Sequence, residues 1–321
     1  MKKVTIGVVL YGDKYLSRSL ISLVAQDYEN IEYIFLDQEE EKHSGYNFVK
    51  ENLPKVFEKA KMLKGDNLFH SGGHNKIINQ MTGEIYICAS NDMLYPTDMV
   101  SKIVKAFDDN NGYSVVFPKS MQWKYGEDNE KSNIIDSCGI GIDKNLRAFD
   151  IGQGEEDNGQ YDDLKDIFGI SGSLFAIKKR ALRDIRYKEE YFDEDIHYKN
   201  DIDLSFRLRW AGKKILFAKD ITVYHDRQVM MQKAKSHWVK DSSLKGDIIV
   251  NYKNIKNRFP KSIQRKVKFY HFKKRIFLAL TSPKLIATML KKKDFEKLAE
   301  QKKKRMPILI HSKDILKFIK N

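Results

Sequence analysis

The chain has 321 residues, 41% of them hydrophobic and 32% charged, so it can bury one large globular domain with an extension, or two domains. Its only cysteines, Cys88 and Cys138, form no CxxC pair and no framework spacing, so neither a disulfide scaffold nor a structural zinc site is expected, and a reducing cytoplasm fits. The formal charge of +14 is uneven: residues 226–321 hold 27 Lys and Arg against 7 Asp and Glu, a surplus of 20 that leaves residues 1–225 at −6.

In chain order, "VTIGVVL" at 4–10 reads as a strand that is apolar on both faces. It is a first strand, not a signal peptide, because Gly12, Asp13 and Lys14 interrupt the run. Leu16, Leu20, Leu23 and Val24 then mark a helical face, and "IEYIFLD" is a second strand ending in Asp37. "NFVKENLPKVFEKA" is helical but divided or kinked by Pro54. "IYICAS" is a further strand, Met99, Val100, Ile103, Val104 and Phe107 line a helix, and "YSVVFP" follows as a strand. Residues 120–170 are polar and Gly-rich and read as loops and short strands. "SLFAIKKRAL" is a strand feeding a helix, "NDIDLSFRLRWAG" a helix closed by Gly212, and "KKILFAKDITVYHD" two short strands ending at His225. Strands alternating with helices imply a mainly parallel sheet covered on both faces, with ligands beyond the carboxyl ends of the strands, where Asp37 and Asp92 fall.

The spaced segments of residues 3–228 resemble, in order, the family 2 glycosyltransferases of GT-A fold, particularly the branch with bacterial rhamnosyltransferases. "VVLYG" with its following helix and "QDY" resembles the family's opening, "FLDQEE" its base-binding acidic turn, and "GGHNKIINQMTGEIY" its glycine-rich segment. "DNGQYDDLKDIFGISGSLFAIKKRAL" and "FDEDIHYKNDIDLSFRLRWAGKKILFAKDITVYH" resemble its acceptor half. The resemblance implies an inverting transferase of a UDP- or dTDP-sugar, of hexose or rhamnose type, acting on a hydroxyl of a glycan, lipid-linked or protein acceptor. It divides the chain into a GT-A domain at 1–228, with a nucleotide-binding half to about 117 and an acceptor half beyond, and a basic helical extension at 229–321.

A nucleotide sugar releases a diphosphate on which negative charge develops, so its site needs cationic stabilisation, commonly Mn2+ or Mg2+. Oxygen ligands with one imidazole suit such an ion, and Asp92 and His225 are the expected ligands. The competing readings are a helix-capping or turn-forming Asp92 and a His225 satisfied by a backbone carbonyl. Ser90 stands where the family has an acidic or Asn residue two before the last Asp, which weakens the expectation of metal. Donor contacts are further implied at Leu10, Tyr11 and Asn91. Asp37 is expected to accept from a pyrimidine imide N–H or, alternatively, to form a turn. Gly72 and Gly73 are expected to admit close approach of the nucleotide sugar, and Asn75 either caps a helix or touches the donor. Ser171 and Gly172, with Ser173, form a small-residue loop beside the donor sugar or a plain tight turn.

The transfer also needs a base, and "YKNDIDLSFR" offers two. On a helix Asp201 and Asp203 stand about 200° apart. Asp203, four residues before Arg207, is expected in a surface ion pair. Asp201 matches the family's catalytic Asp, against a plain helix N-terminal charge, and Asn200 replaces the family's preceding Glu.

The Lys-rich tail mixes its charge with Leu, Ile and Phe, the composition of an interfacial helix on anionic lipid or of a packed appendage with a solvated basic face. Pro283 and Lys284 break the apolar stretch 275–293, so it is not expected to cross a membrane. A cytoplasmic protein, peripheral on the inner face of the cell membrane, follows as the expectation, and a homodimer is allowed. No nucleic-acid module is present in the sequence pattern, and aromatics are not interleaved with the basic residues as a stacking platform. The rival to an active transferase is a catalytically silent GT-A protein retained as a binding or assembly module.

Overall fold

The computed structural model describes residues 1–127, 130–227 and 236–320. The expected boundary between the GT-A domain and the extension, at 228/229, lies outside them.

The chain begins with β1 (Val4–Leu10), α1 (Leu16–Val24), β2 (Ile31–Asp37), α2 (Ser44–Asn52) and α3 (Pro54–Phe57), the last two separated at Pro54, which takes the first position of its helix. An unanticipated edge strand, β3 (Lys61–Lys64), comes next, followed by α4 (Phe69–Ile78), β4 (Ile85–Ala89), the two-residue β5 (Met93–Leu94), α5 (Met99–Asp109) and β6 (Val115–Trp123). The polar segment contributes β7 (Lys131–Ser137) and the hairpin of β8 (Ile140–Ile142) with β9 (Ala148–Asp150). Then come β10 (Leu174–Lys178), α6 (Lys179–Ile185), α7 (Asn200–Trp210) and β11 (Ile215–His225). The expectation of two short strands ending at His225 is corrected. One strand spans both, with a bulge between Ala218 and Thr222 that lets pairing with β6 resume.

Nine strands form one mixed sheet in the order β3-β2-β1-β4-β10-β6-β11-β5, with β7 on β6. Pairing of β1 with β2 and β4, and of β6 with β11, is parallel, whereas β10 runs antiparallel to both β4 and β6. The carboxyl ends of β1, β2, β4, β6 and β11 and the start of β10 therefore share one edge. One face of the sheet packs on Leu16, Leu20 and Leu23 of α1 and Met99, Ile103 and Phe107 of α5. The other packs on Ile77 of α4, Leu182 of α6 and Leu204 and Leu208 of α7. Burial of side chains this large contributes about 1.5–3 kcal/mol each.

Beyond β11 the tail is helical: α8 (His237–Val250), a π-turn (Asn251–Ile255), α9 (Lys261–Thr281), α10 (Ile286–Leu290), α11 (Lys292–Lys304) and α12 (Ser312–Leu316). It shares a core with the acceptor half, where Ile249, Val250, Ile255, Phe259 and Ile315 pack with Ile142, Phe168, Phe206 and Trp210. Among the described residues no helix is long and apolar enough to cross a membrane.

Candidate active site

The topology brings Asp92 and His225 together. Residue Asp92 follows β4, and the short β5 pairs antiparallel with β11, setting Met93 opposite His225. The Asp226 N–H then donates to the Asp92 carbonyl at 3.0 Å. His225 Nδ1 bonds Asp136 Oδ2 at 2.9 Å, which leaves Nε2 facing Asp92 Oδ2 at 3.6 Å, beyond a good hydrogen bond. Ser90 Oγ donates to the other oxygen, Asp92 Oδ1. The residue that replaces a family acidic group thus steadies the remaining carboxylate.

From His225 a polar chain crosses the edge. Arg227 bridges Asp136 at 3.0 Å and Asp150 at 2.7 Å, and its Nη2 lies 3.5 Å from Ser171 Oγ. The Gly172 N–H donates to Asp201 Oδ2 at 3.3 Å, while Asp201 Oδ1 accepts from the Ile202 N–H. Burial disfavours charge on both members of the first pair, but their mutual attraction outweighs it. His225, between Asp92 and Asp136, is raised to about 10, and Asp92 lies below the usual carboxylate range. At Asp201 burial and then the Asp150 charge raise the carboxyl, against the backbone N–H groups of Ile202 and Gly172. Four carboxylates and two cations leave the cluster formally two charges negative, which suits a divalent cation. To ligate such an ion His225 must release its Nε2 proton, and the Asp136 bond at Nδ1 then keeps the freed Nε2 turned toward Asp92, so the residues fit the ion expected from the sequence.

Other predicted residues sit nearby or elsewhere. Tyr11 is exposed at the tip of β1, and Asn91 Nδ2 reaches its carbonyl at 3.4 Å. Leu10, just before it, is a core residue. Asp37 is fully buried and accepts from the Glu39 and Tyr46 N–H groups at 2.9 and 2.7 Å. Its carboxylate organises the turn into α2, which is the alternative weighed above, and it is not presented to a base. Gly72 and Gly73 are corrected in the same way, for they lie inside α4. A Cβ on Gly72 would come within 2.8 Å of the Leu68 side chain, and one on Gly73 within 2.2 Å of Gln38 Nε2 and 2.7 Å of Val9. The missing side chain of Gly73 lets α4 press on Val9 of β1, and that of Gly72 makes room for Leu68 at the start of the helix, so the protein itself fills both positions. Asn75 neither caps a helix nor faces a donor. Its Oδ1 accepts from the Tyr191 and Phe192 N–H groups and its Nδ2 donates to the Phe192 carbonyl and Glu194, clipping the acceptor segment onto α4.

Asp203 is also corrected, from surface to core. It is fully buried, 2.8 Å from Arg207 Nε, with Lys253 Nζ and Asn254 Nδ2 on it at 3.0 and 2.8 Å. The helical argument still places it away from Asp201, which faces Gly172. Asn200 is absorbed locally, its amide reaching His70 Nδ1 at 3.1 Å and Ser71 Oγ at 2.9 Å.

Sequence reasoning missed Asp136, Asp150 and Arg227. The first two come from the polar segment, where β7 and β9 carry no alternating pattern, and Arg227 follows the last predicted ligand without a motif of its own.

The glycosyl transferase family 2 pattern matches residues 5–186. The crystal structure of GalNAc-T7 with UDP, GalNAc and Mn2+ aligns at TM-score 0.56 and 13% identity over 78% of this chain, which spans about half (48%) of that one. S. aureus TarS 1-349 aligns at 0.54 and 15% identity, covering 84% of this chain and 72% of that one. Mannosyltransferase PcManGT from Pyrobaculum calidifontis, in complex with GDP-Man and Mn2+, aligns at 0.55 and 14% identity, covering 91% and 74%. No curated protein matches by sequence. At such low identities the structural alignments show the fold alone, GT-A-like with a mixed sheet flanked by helices, whereas the family match spans more than half of the 321 residues. The chain belongs to glycosyl transferase family 2.

Proposed function

We propose that the protein transfers a sugar, of hexose or rhamnose type, from a UDP- or dTDP-sugar to a hydroxyl of a glycan, lipid-linked or protein acceptor, with inversion. The observation that carries this reading is the line of side chains from Asp92 and His225 through Arg227 to Asp201 along one sheet edge. The pyrimidine preference no longer draws on Asp37. Its support is that two of the similar structures, GalNAc-T7 and TarS, were solved with UDP, whereas PcManGT holds GDP-Man.

Asp92 and His225 would hold Mn2+ or Mg2+, which when bound supplies Lewis-acid stabilisation of diphosphate charge. The chain's own contribution is proton transfer and orientation. Asp201 takes the acceptor hydroxyl proton, the freed oxygen bonds the anomeric carbon opposite the diphosphate, and the diphosphate leaves with the bonding pair. A carboxylate whose proton affinity is raised by burial serves as such a base, and the Gly172 N–H fixes its orientation. Asp136 holds the His225 ring, and Arg227 ties β7, β9 and the Ser171 loop into one frame.

The proposal includes an anionic membrane surface, the inner face of the cell membrane, as partner of the tail. Phe272, Phe277, Leu280 and Leu290 on α9 and α10 are 59–80% exposed and stand among lysines. A panel of nucleotide sugars assayed for Mn2+-stimulated release of UDP or dTDP tests the central reading. Release from a pyrimidine sugar, with inverted product, is the expected result. Binding without turnover across the panel would establish the silent binding module instead.

A further inference from the structure

The transferase reading leaves one cluster unused. His70 and His74 stand one turn apart on α4, and Cys88 lies on β4 beneath them. Ligand atoms of all three lie within 4.8 Å of one another. Cys88 Sγ is 3.4 Å from His74 Nε2 and 3.8 Å from His70 Nε2. The carbonyl oxygen of Gly172 closes the group, 3.0 Å from His70 Nε2 and 3.6 Å from Cys88 Sγ. A tetrahedral zinc ion with bonds of about 2.3 Å to sulfur and about 2.05 Å to nitrogen has a sulfur–nitrogen edge of about 3.5 Å. The observed spacings bracket that edge. The other ring nitrogens are bonded too: His74 Nδ1 to Tyr86 OH at 2.6 Å, with Cys88 Sγ 3.8 Å away so that the ring must turn to aim Nε2 at a shared ion, and His70 Nδ1 as acceptor of the Asn200 amide at 3.1 Å. An acceptor for the far ring N–H orients a metal-binding histidine, a part the Tyr86 hydroxyl oxygen can take for His74.

The geometry points to a second cation site, formed by His70, His74 and Cys88, that takes a borderline-soft divalent ion, Zn2+ by its donor set, in place of the hard ion suited to Asp92. One thiolate and two imidazoles are the ligands such ions select, whereas Mn2+ and Mg2+ favour oxygen. Burial holds both imidazoles neutral, with His70 lowered to about 4, so each ring offers one nitrogen lone pair at neutral pH. Burial also keeps the Cys88 thiol protonated, so binding releases that proton to the buffer as sulfur becomes a ligand. In the free chain His70 carries its proton on Nε2, on the Gly172 carbonyl; to bind, that proton moves to Nδ1, and the Asn200 amide turns to accept it. The Gly172 N–H lies on Asp201, so the soft site borders the loop that orients the proposed base.

The experiment uses the full chain with excess Mg2+ and titrates Co2+ as the probe, followed by Zn2+ in competition. The expected result is one equivalent of Co2+ with a thiolate-to-cobalt charge-transfer band, displaced by Zn2+. The band should vanish in Cys88→Ser and persist in Cys138→Ser and Asp92→Asn. Circular dichroism confirms that each variant is folded. Tyr86→Phe keeps the ring and removes the hydroxyl behind His74, and should weaken binding about 10–100-fold. A wild-type protein with no such band, a band that survives Cys88→Ser, or an unchanged affinity in Tyr86→Phe would overturn the assignment.

Discussion

The sheet and the tail are held together by different physics. In the sheet, Val4, Ile6 and Val8 of β1 and Phe35 of β2 are fully buried, and the strands are secured by apolar area that needs no particular partner. In the tail, the 21 residues of α9 bury only Val267 and the 13 of α11 only Ala299. Apolar docking there rests mainly on Ile249, Val250, Ile255, Phe259 and Ile315, and directed charges add to it. Lys302 reaches Glu190, Asp193 and Asp195 at 2.6–2.9 Å, Lys253 joins Asp193 to Asp203, and Asp247 lies between Lys199 and Lys274. A basic surplus that suggested lipid thus divides into cations committed to the acceptor half and cations beside exposed apolar groups. Helix α7 belongs to both regions, since Asp201 faces the site and Asp203, two residues on, anchors the tail.

Separating those two faces gives the largest expected effect. Asp201→Asn keeps shape and removes proton affinity, so donor binding and Tm should stay while transfer falls by about 10² to 10⁴. Near wild-type transfer, or product that retains the donor configuration, would remove Asp201 from the role. On the other face Lys253→Met should leave Asp193 and Asp203 short of a buried cation and destabilise the fold by about 3–5 kcal/mol in urea titration. The exposed Lys102 pair with Asp98 supplies the control, and Lys102→Met should leave the midpoint where it was. Equal shifts in the two variants would dissolve the distinction between sheet and tail.

The next effect is on surface chemistry. Replacing Phe272, Phe277 and Leu280 together by Ser should abolish sedimentation with vesicles of anionic phospholipid and leave soluble turnover intact. Full retention on the vesicles would show that those side chains face something else. The smallest effect is a pH dependence at His271 on α9. Burial lowers this group to about 4, with Asp247 opposing and Lys274, Lys199 and Arg275 reinforcing. Its folded pKa lies below the unfolded value of about 6.5, so the unfolded chain binds the extra proton first. Its contribution is therefore whole above pH 6.5 and lost as pH falls toward 4. His271→Gln should flatten the fall of Tm through that window, and identical profiles would show that other groups cause it.

Sequence by itself determined the alternating elements and their apolar faces, because strand and helix periods are local and hydrophobic burial is indifferent to partner. Leu16, Leu20 and Leu23, and Met99, Ile103 and Phe107, lie where their spacing put them. It also marked Asp92, His225 and Asp201, since each ends or begins an element at the edge where parallel strands open. Tertiary structure alone decided what each polar side chain answers. Asp37 and Asn75 look like ligands in a motif, yet are consumed by backbone N–H groups, those on Asn75 116 and 117 residues away. Asp136, Asp150 and Arg227 carry no local signal and gain their place when β7, β9 and the end of β11 meet. A hydrogen bond or an ion pair depends on distance and direction, and between residues far apart in the chain those exist only after the fold has formed.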